Sequence, residues 1–380
     1  MHIGNARGGA IGDCLASVLD YAGYDVSREF YVNDAGNQIE KFATSLEVRY
    51  LQLYKDGIEM PEDAYQGVDI TEHAKAFSAE FGNKYVEAES ADRRKALVDF
   101  ALPKNIAGLE KDLLQYRIKY DHWFKESSLH NDGSVTEVID KLKSLGVTYE
   151  KDGALWFKAS EYGNDKDIVL IRANGLPTYI VPDIAYHYNK LVTRGNDIAV
   201  DVLGADHHGY VPRMKAALTA LGIDAGRLNC VIMQMVRLVR DGETIKLSKR
   251  SGKAITLTTL LEEVPIDAAR FFFNLREPNS HFDFDLDLAA QETSQNPVYY
   301  VQYAHARICS IIKKAESEGI VIRTAADEEL NLLNTNEELE LIRHLSGLTD
   351  EIITAAKAYD PAKITHYVIE LATLFHKFYN

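Results

Sequence analysis

The stretch from residue 167 to residue 222 constrains the fold most, because it repeats an apolar strand, a glycine-containing turn and a helix. The first repeat begins with "DIVLIR"; in the second, "DIAVDVLG" is followed by "ADHHG" and the helical "YVPRMKAALTALG". This alternation is typical of α/β proteins built on a parallel sheet. The first forty residues add the helix "AIGDCLASVLDYAG" and the strand "REFYVND", and "NCVIMQMVRLV" predicts a further strand. We therefore predict an α/β fold.

Two other stretches have helical patterns and divide the chain into four segments. Residues 41–165 are charged and helical, which we interpret as an insertion between two halves of the α/β core, residues 1–40 and 166–289. Three helical patterns follow: "NPVYYVQYAHARICSIIKKAESEG", "NEELELIRHLSGLTDEIITAAKAYD" and "AKITHYVIELATLFHKFYN". They predict an all-α domain at residues 290–380, with no strand after about residue 289 and a last helix that stops in mid-pattern.

The composition excludes some classes of protein. The net charge of −15 at pH 7 counts mildly against a nucleic-acid-binding protein, although a local basic strip can still bind phosphates. Cys14, Cys230 and Cys309 are far apart and form no Cys-x-x-Cys pair, which argues against a zinc site or a disulfide framework. No apolar run is long enough to span a membrane, and the first residues do not resemble a signal peptide. We expect a cytoplasmic protein.

The chain opens with "MHIGNARGG", which suggests a phosphate-binding loop ahead of the first helix. Glycines let a backbone pass close to a ligand, and a loop that runs into a helix N-terminus directs free N–H groups at an anion. His2 and Asn5 add side-chain donors. By itself the stretch is weak support for phosphate binding, because a glycine-rich turn can also serve only to pack a helix.

A second candidate is the basic segment "GETIKLSKRSGKAITL". It holds Lys246, Lys249, Arg250 and Lys253 within eight residues of a strongly acidic protein. Such a cluster can neutralise a polyphosphate. An ordinary solvated hairpin turn remains the commoner use of a lysine-rich turn.

A third candidate is "GADHHG", which follows an apolar strand. The turn places Asp206 at the carboxyl edge of the predicted sheet, where α/β folds bind their ligands. His207 and His208 are adjacent on one turn, and no Cys or acidic residue has suitable spacing, so we predict no metal site.

Taken together, these stretches resemble a known family. His-x-Gly-Asn before the first helix and Lys-Leu-Ser-Lys-Arg some 240 residues later resemble the His-x-Gly-His and Lys-Met-Ser-Lys-Ser signatures of class I aminoacyl-tRNA synthetases. Several segments resemble bacterial-type arginyl-tRNA synthetases in particular, among them "HIGNARGGAIGDCL", "FYVNDAGNQI", "DHWFKESSLH", "PTYIVPDIAYH", "GADHHGYVPRMKAA" and "NPVYYVQYAHARI". The resemblance implies a Rossmann-like nucleotide-binding core with a mostly helical insertion, followed by an all-α anticodon-binding-type domain.

The family resemblance also implies an activity: ATP-dependent activation of L-arginine to arginyl-adenylate, then transfer to tRNA(Arg). The partners expected from it are L-arginine, ATP as a Mg²⁺ complex and tRNA(Arg), with no tightly bound cofactor and a monomeric protein. The residues expected to act on ATP phosphates are His2, Asn5, Lys246 and Lys249, and those expected to hold the rest of ATP are Gly4, Gly204, Asp206 and Ser248. Asn5 stands where the class signature has His, and Leu247 stands where it has Met.

The resemblance assigns an arginine-binding pattern, Tyr-x-x-x-Asp, to Tyr179 and Asp183. A carboxylate suits the planar guanidinium fork of arginine, although a Tyr four residues before an acid can also serve packing alone. His207 matches a position that lines the arginine pocket.

This sequence also departs from the family pattern, because arginyl-tRNA synthetases normally have more chain on both sides. Upstream the family has a domain that binds the tRNA corner, then a strand and a Ser-x-Asn-Pro loop; downstream the anticodon domain continues. We therefore expect a fragment with weak or no aminoacylation by itself, and unpaired edges where a central first strand would lie. Two alternatives stay open: a tRNA-independent class I-like nucleotidyltransferase, and a non-catalytic module that binds tRNA or arginine.

Overall fold

The computed structural model describes residues 1–245 and 256–380. Within them the strands are β1 (Glu29–Val32), β2 (His122–Lys125), β3 (Thr148–Lys151), β4 (Ala154–Phe157), β5 (Ile168–Ile171), β6 (Ala199–Gly204), β7 (Leu228–Met233), β8 (Val236–Arg240), β9 (Glu243–Thr244) and β10 (Phe282–Asp285). The helices of the first half are α1 (Ile3–Tyr21), α2 (Gly36–Leu51), α3 (Val68–Phe81), α4 (Ser90–Gln115), α5 (Glu126–Asn131), α6 (Ser134–Ser144) and α7 (Ile180–Tyr188). Those of the second half are α8 (Tyr210–Ala220), α9 (Leu257–Glu263), α10 (Ile266–Phe273), α11 (Leu286–Ala290), α12 (Pro297–Ser317), α13 (Asp327–Leu330), α14 (Asn336–Ser346), α15 (Leu348–Ala358) and α16 (Ala362–Tyr379).

Helix α1 begins at Ile3, so the prediction of a glycine-rich loop at the start of the chain is wrong. His2 is the N-cap residue with an extended backbone, and its Nδ1 accepts a hydrogen bond from the Gly4 N–H at 3.1 Å. This bond satisfies one of the free N–H groups of the first turn, which is what an N-cap side chain does. The opening stretch is therefore a capped helix end.

Two glycines inside α1 lie where other parts of the chain pack closely against the helix. A Cβ added at Gly8 would lie 2.8 Å from the Met233 Cε, and one at Gly9 would lie 3.1 Å from the Ile118 Cδ1. Close packing against chain segments far away in sequence therefore outweighs the poor helix propensity of glycine.

The α/β prediction is met by parallel strand pairs with helices on both faces. β6 pairs in parallel with β7 along their whole length, and β1 pairs in parallel with β2. On one face of the β6–β7 sheet, Ile11 and Leu15 of α1 pack against Val231. On the other face, Ile184 of α7 and neighbouring residues of α8 share one buried cluster with Leu228.

The two parallel pairs do not join into one sheet. Among the described residues, β1 pairs only with β2, and β6 pairs only with β7, so each keeps one unpaired edge. Residues 28–31 and 198–203 line the same cavity, which therefore lies between those two edges.

The stretch 41–165 contains more than the expected helices. Helices α2, α3 and α4 enclose their own core around Tyr50 and Phe77. However, β2 pairs with β1, and the antiparallel sheet β3–β4–β5 joins two strands of this stretch to a strand outside it. The mostly helical insertion predicted from the sequence therefore also carries the strands β2, β3 and β4, and the predicted domain limits stay predictions.

Two sequence patterns are broken by a bend. "NCVIMQMVRLV" forms the two strands β7 and β8 instead of one, and β8 lies between β10 and β9 in a different sheet. "NEELELIRHLSGLTDEIITAAKAYD" forms α14 and α15, which meet at Gly347. In both cases the apolar pattern continues through the bend, so the pattern alone could not reveal it.

The C-terminal part is helical, as predicted, because the last strand of the described residues ends at Asp285. Phe375 of α16 packs against Ala304 of α12, and Ala355 of α15 packs against Val18 of α1, which joins the helical part to the core. None of the helices that the structure describes has the length and apolar character needed to cross a membrane.

Candidate active site

A cavity of about 1450 Å³ lies between α1, β1, α7 and β6. Four of the residues singled out in the sequence line it: Asn5, Tyr179, Asp183 and His207. The predicted arginine-binding residues therefore come together although they span different elements. His2, Gly4, Gly204 and Asp206 lie outside its lining, and Lys246, Ser248 and Lys249 lie outside the described residues.

Helix α7 carries the Tyr-x-x-x-Asp pattern. Tyr179 is its N-cap residue and Asp183 lies in its first turn, so the two side chains project from neighbouring positions on one face. Tyr179 is 64% exposed, whereas the Asp183 side chain is largely buried. Burial raises the pKa of Asp183 to about 6; His187 opposes this shift, and the Glu126 carboxylate adds to it.

Asp183 has no cationic partner in an ion pair among the described residues, although it faces an open cavity. A half-desolvated carboxylate in this position gains most from a ligand that brings its own positive charge and several N–H donors. The guanidinium group of arginine has both properties. The site therefore favours a cationic ligand over a neutral one.

A buried network that the sequence analysis missed holds α7 against β6. The His187 side chain is fully buried, with its Nδ1 2.8 Å from the carbonyl oxygen of Asp183 and its Nε2 2.7 Å from the Asp201 Oδ2. Lys190 donates to the other oxygen of Asp201 at 2.7 Å. Burial opposes ionisation of Asp201, but Lys190 and His187 outweigh it and hold its pKa well below the ordinary value. The network fixes the turn of α7 that carries Asp183.

A signal for this network is present in the sequence. His187 lies four residues after Asp183, and Asp201 is the carboxylate inside the otherwise apolar strand "AVDVLG". Buried charges of this kind need partners, so an acid in an apolar strand predicts a nearby cation. A second tie joins α7 to β1, since Tyr186 donates to Glu29 and Arg194 makes two hydrogen bonds to the same carboxylate.

The start of α1 lies beside the chain that leaves the basic segment. His2 forms an isolated antiparallel bridge with Thr256, and the Leu257 N–H donates to the Met1 carbonyl oxygen at 2.8 Å. Thr256 and Leu257 directly follow the segment 246–255, whose own structure lies outside the described residues. The fold therefore brings the exit of the predicted lysine segment to the N-terminal end of α1.

The Gly-x-Asp turn closes β6. A Cβ added at Gly204 would lie 2.6 Å from the Asp206 Oδ1, so a side chain there would displace the carboxylate. Asp206 is exposed at the carboxyl end of β6, and His207 follows it with its Nε2 3.9 Å from the Asp206 Oδ2. An exposed carboxylate at this edge can accept hydrogen bonds from ligand hydroxyls.

No three His, Cys, Asp or Glu side chains within residues 1–245 and 256–380 are grouped so that they could hold a metal ion. The described site offers a carboxylate, which suits a cation, and a helix end whose free N–H groups suit an anion.

Comparison with known proteins identifies the family. The family model described as the catalytic domain of class I tRNA synthetases (R) matches residues 1–312, and the DALR anticodon binding domain matches residues 301–380. The arginine–tRNA ligase of Caldanaerobacter subterraneus subsp. tengcongensis is 58% identical, and that of Ruminiclostridium cellulolyticum is 56% identical. Each match includes the whole of this chain and 68% of the relative's length.

Solved structures agree with the sequence relatives. A chain described as an arginyl-tRNA synthetase from Campylobacter jejuni superposes with a TM-score of 0.87 at 35% identity, over all of this chain and 82% of that one. Thermus thermophilus arginyl-tRNA synthetase has a TM-score of 0.77 at 22% identity, over all of this chain and 72% of that one, which supports the fold alone. The predicted resemblance and fold class are confirmed. Because the catalytic-domain model matches most of its length, and relatives more than half identical match all of it, the chain belongs to the arginyl-tRNA synthetases.

Proposed function

We propose that this chain is an arginine–tRNA ligase whose arginine site is the α7 wall of the cavity and whose ATP site is the N-terminal end of α1. The observation that carries the proposal is Asp183, a largely buried carboxylate that lines the cavity without an ion-pair partner among the described residues. The match of residues 301–380 to an anticodon-binding domain supports tRNA as the acceptor, and argues against a tRNA-independent nucleotidyltransferase.

In the first step the arginine carboxylate attacks the α-phosphorus of ATP, a P–O bond forms, and the bond to pyrophosphate breaks. Asp183 and Tyr179 hold the guanidinium group, which leaves the carboxylate of the substrate free to reach the phosphate. The reaction has no covalent enzyme intermediate. Most of the rate enhancement therefore comes from positioning the substrates and from stabilising charge on the phosphate oxygens.

The phosphates lie, in this proposal, against His2, Asn5 and the first N–H groups of α1, which present a positive helix end. Lys246 and Lys249 neutralise the departing pyrophosphate, and ATP enters with Mg²⁺ as part of the substrate. Asp206 accepts hydrogen bonds from the ribose hydroxyls, with Gly204 leaving the space that its carboxylate needs. In the second step a hydroxyl of the terminal tRNA ribose attacks the arginyl carbonyl, and AMP leaves.

The slot between β1 and β6 supports a limit on the activity of residues 1–380 by themselves. The β1 and β6 edges that face the slot have no strand partner among the described residues, so side-chain ties through α7 connect them in place of a strand, and adenylate formation depends steeply on how its substrates are aligned. We therefore propose that this chain alone binds its ligands and catalyses weakly. Binding of arginine or tRNA without catalysis is the second candidate, and the same slot favours it.

Titration calorimetry tests the arginine site. Arginine is titrated into the wild type, Asp183→Asn and the control Asp165→Asn, which changes an exposed Asp without a hydrogen bond to another described residue. We expect Asp183→Asn to weaken arginine binding by about 100-fold, as for a lost charge-assisted pair, and the control to leave it unchanged. Citrulline, the neutral isostere of arginine, is expected not to bind. Equal binding of arginine by both variants would refute the assignment.

The proposal extends to location and assembly. The three cysteines are free thiols in the structure, which supports a reducing compartment such as the cytoplasm. We propose a monomer, for which light scattering after size-exclusion chromatography at micromolar concentration is the direct measurement.

A further inference from the structure

Arg7 is a buried cation on α1 that the arginine and ATP sites described above do not use. Its side chain has no exposed surface, and it makes no ion pair with any carboxylate among the described residues. Burial lowers the pKa of Arg7 to about 10, and its Nε has no hydrogen-bond partner within the described part of the chain. A buried charge without a counter-ion is costly, and an apolar side chain of similar volume would pack there more favourably.

The contacts of Arg7 join α1 to two neighbouring chain segments, one before β8 and one before β10. Its NH1 donates to the carbonyl oxygen of Gln234 at 2.6 Å, and its NH2 donates to that of Glu277 at 3.4 Å. Its guanidinium carbon lies 5.4 Å from the centre of the Phe282 ring. Gln234 lies between β7 and β8, and Phe282 begins β10, the neighbour of β8. Arg7 therefore ties the second turn of α1 to the base of the β8–β9 hairpin.

That hairpin leads directly into the lysine segment. β8 pairs with β9, and the Ile245 N–H donates to the Leu238 carbonyl oxygen, which keeps the chain on β8 up to the residue before Lys246. At the other end, Thr256 pairs with His2. The entrance and the exit of residues 246–255 are thus both tied to the first two turns of α1, the entrance through Arg7 and the exit through His2.

We propose that Arg7 is a positioning residue that fixes the β8–β9 hairpin, up to Ile245, against the phosphate-binding end of α1, where Thr256 is also held. The proposal rests on the proposed function, because it requires ATP phosphates at the start of α1. A guanidinium group suits this task since it donates to two carbonyl groups in fixed directions, which an apolar side chain cannot do. Arg7 acts on ATP only through the parts it holds.

The test compares Arg7→Met and Arg7→Lys with the wild type by calorimetry, using ATP and arginine separately. Arg227→Met is the matched control, because Arg227 also donates to main-chain carbonyls, those of Leu191, Asn196 and Asp197, none of which belongs to α1 or the β8–β9 hairpin. We expect Arg7→Met to weaken ATP binding by about tenfold, the size that fits a displacement of less than an ångström. Arginine affinity stays as in the wild type, and the melting temperature is unchanged or higher.

Hydrogen exchange supplies a readout that a general loss of stability would not give. Faster exchange is expected in residues 236–245 and 256–260 of Arg7→Met, with no change in α7. In Arg7→Lys one carbonyl contact can be kept, so its ATP affinity lies between those of the wild type and Arg7→Met. If Arg7→Met does not fold, Arg7→Lys decides alone, and an unchanged ATP affinity in it overturns the proposal.

The other outcomes separate this proposal from the proposed function. If the wild type binds ATP and Arg7→Met binds it equally well, the role of Arg7 is overturned and the ATP site stands. If Arg7→Met weakens arginine and ATP together with a fall in melting temperature, Arg7 is only a structural tie, and the positioning role is overturned. If the wild type binds arginine but no ATP, the ATP site itself fails, and the proposal for Arg7 fails with it.

Discussion

The two halves of the proposed site are stabilised in different ways: the arginine wall, formed by Tyr179 and Asp183 of α7, and the phosphate end, formed by His2 and the first turn of α1. Tyr179 and Asp183 lie one turn apart on a single helix, and a buried set of charges fixes that helix to β6 and β1. The start of α1, the proposed phosphate site, is joined to chain more than 220 residues away by the His2–Thr256 bridge and by the hydrogen bond from Arg7 to Gln234. In the proposed function, recognition of the amino acid is therefore encoded locally, whereas alignment of ATP depends on long-range packing.

The largest effect is expected where the arginine wall is fixed. Asp201→Asn leaves Lys190 and His187 without their carboxylate, and the free energy of unfolding at pH 7 should fall by about 3–5 kcal/mol. Because the pKa of Asp201 is held below its ordinary value, its contribution is complete above about pH 4 and is lost as the pH falls further. The difference between wild type and variant should therefore shrink in acid, as chemical denaturation followed by circular dichroism measures.

Asp283→Asn is the control for that experiment. Asp283 pairs with Arg237 at 2.6 Å, but both side chains are about half exposed, so the change should cost less than about 1 kcal/mol. Equal stabilities of the two variants would show that the α7 network does not hold the wall.

The next effect concerns Asp183, because its partly buried charge, which the proposed binding role requires, lowers the free energy of unfolding at neutral pH. Its pKa is raised from 3.8 to about 6, so the fold disfavours the carboxylate form at neutral pH. A group with a raised pKa contributes stability below its unfolded value and loses that contribution as the pH rises through its folded value. Asp183→Asn removes the charge. At pH 7.5 the free energy of unfolding of this variant should be up to about 3 kcal/mol higher than that of the wild type.

Thermal and chemical unfolding of Asp183→Asn beside Asp165→Asn measures this gain. The gain should disappear below about pH 4, where the wild-type side chain is protonated in both states. A variant that is less stable than the wild type at pH 7.5 would mean that the carboxylate is already paired in the free protein.

A smaller effect is expected at the phosphate end. His2→Ala removes the cap of α1 and should cost about 1 kcal/mol of stability. His2→Asn keeps an acceptor for the Gly4 N–H and should recover most of that loss. If the ring also contacts phosphate, both variants lose ATP affinity, which separates the cap from the ligand contact. An Asn variant as unstable as the Ala variant would contradict the capping role.

The same contrast explains what could be predicted from the sequence. Tyr179 and Asp183 were assigned through the family resemblance, because their spacing alone also fits packing; the local helix then explains why the two lie on one face. The helical start of α1 was missed, since the partners that select Gly8 and Gly9 are Met233 and Ile118, and a local pattern contains no information about them.

Arg7 was missed for a related reason, although a signal exists. It lies four residues after Ile3 and four before Ile11, both fully buried, so the helical spacing places a charge on the apolar stripe. Only the fold shows that the carbonyl groups of Gln234 and Glu277 receive it. The bend between β7 and β8 is hidden in the same way, because both strands are apolar.

The smallest effect is a pH dependence of arginine binding. The charged groups that act on Asp183 are His187 and Lys190 beside it along the chain, Glu126 from α5 and Asp201 from β6. With a pKa of about 6, most Asp183 side chains are ionised at pH 7.5 and about a quarter at pH 5.5, so the dissociation constant for arginine should rise about fourfold between these pH values. Calorimetry at intervals of half a pH unit measures this dependence.

Glu126→Gln removes a carboxylate that raises the pKa of Asp183, so the pH dependence of arginine binding in this variant should move to lower pH. A dissociation constant that stays flat down to pH 5.5 would mean that Asp183 does not titrate in this range, and the burial of the arginine wall would then be weaker than its contacts imply.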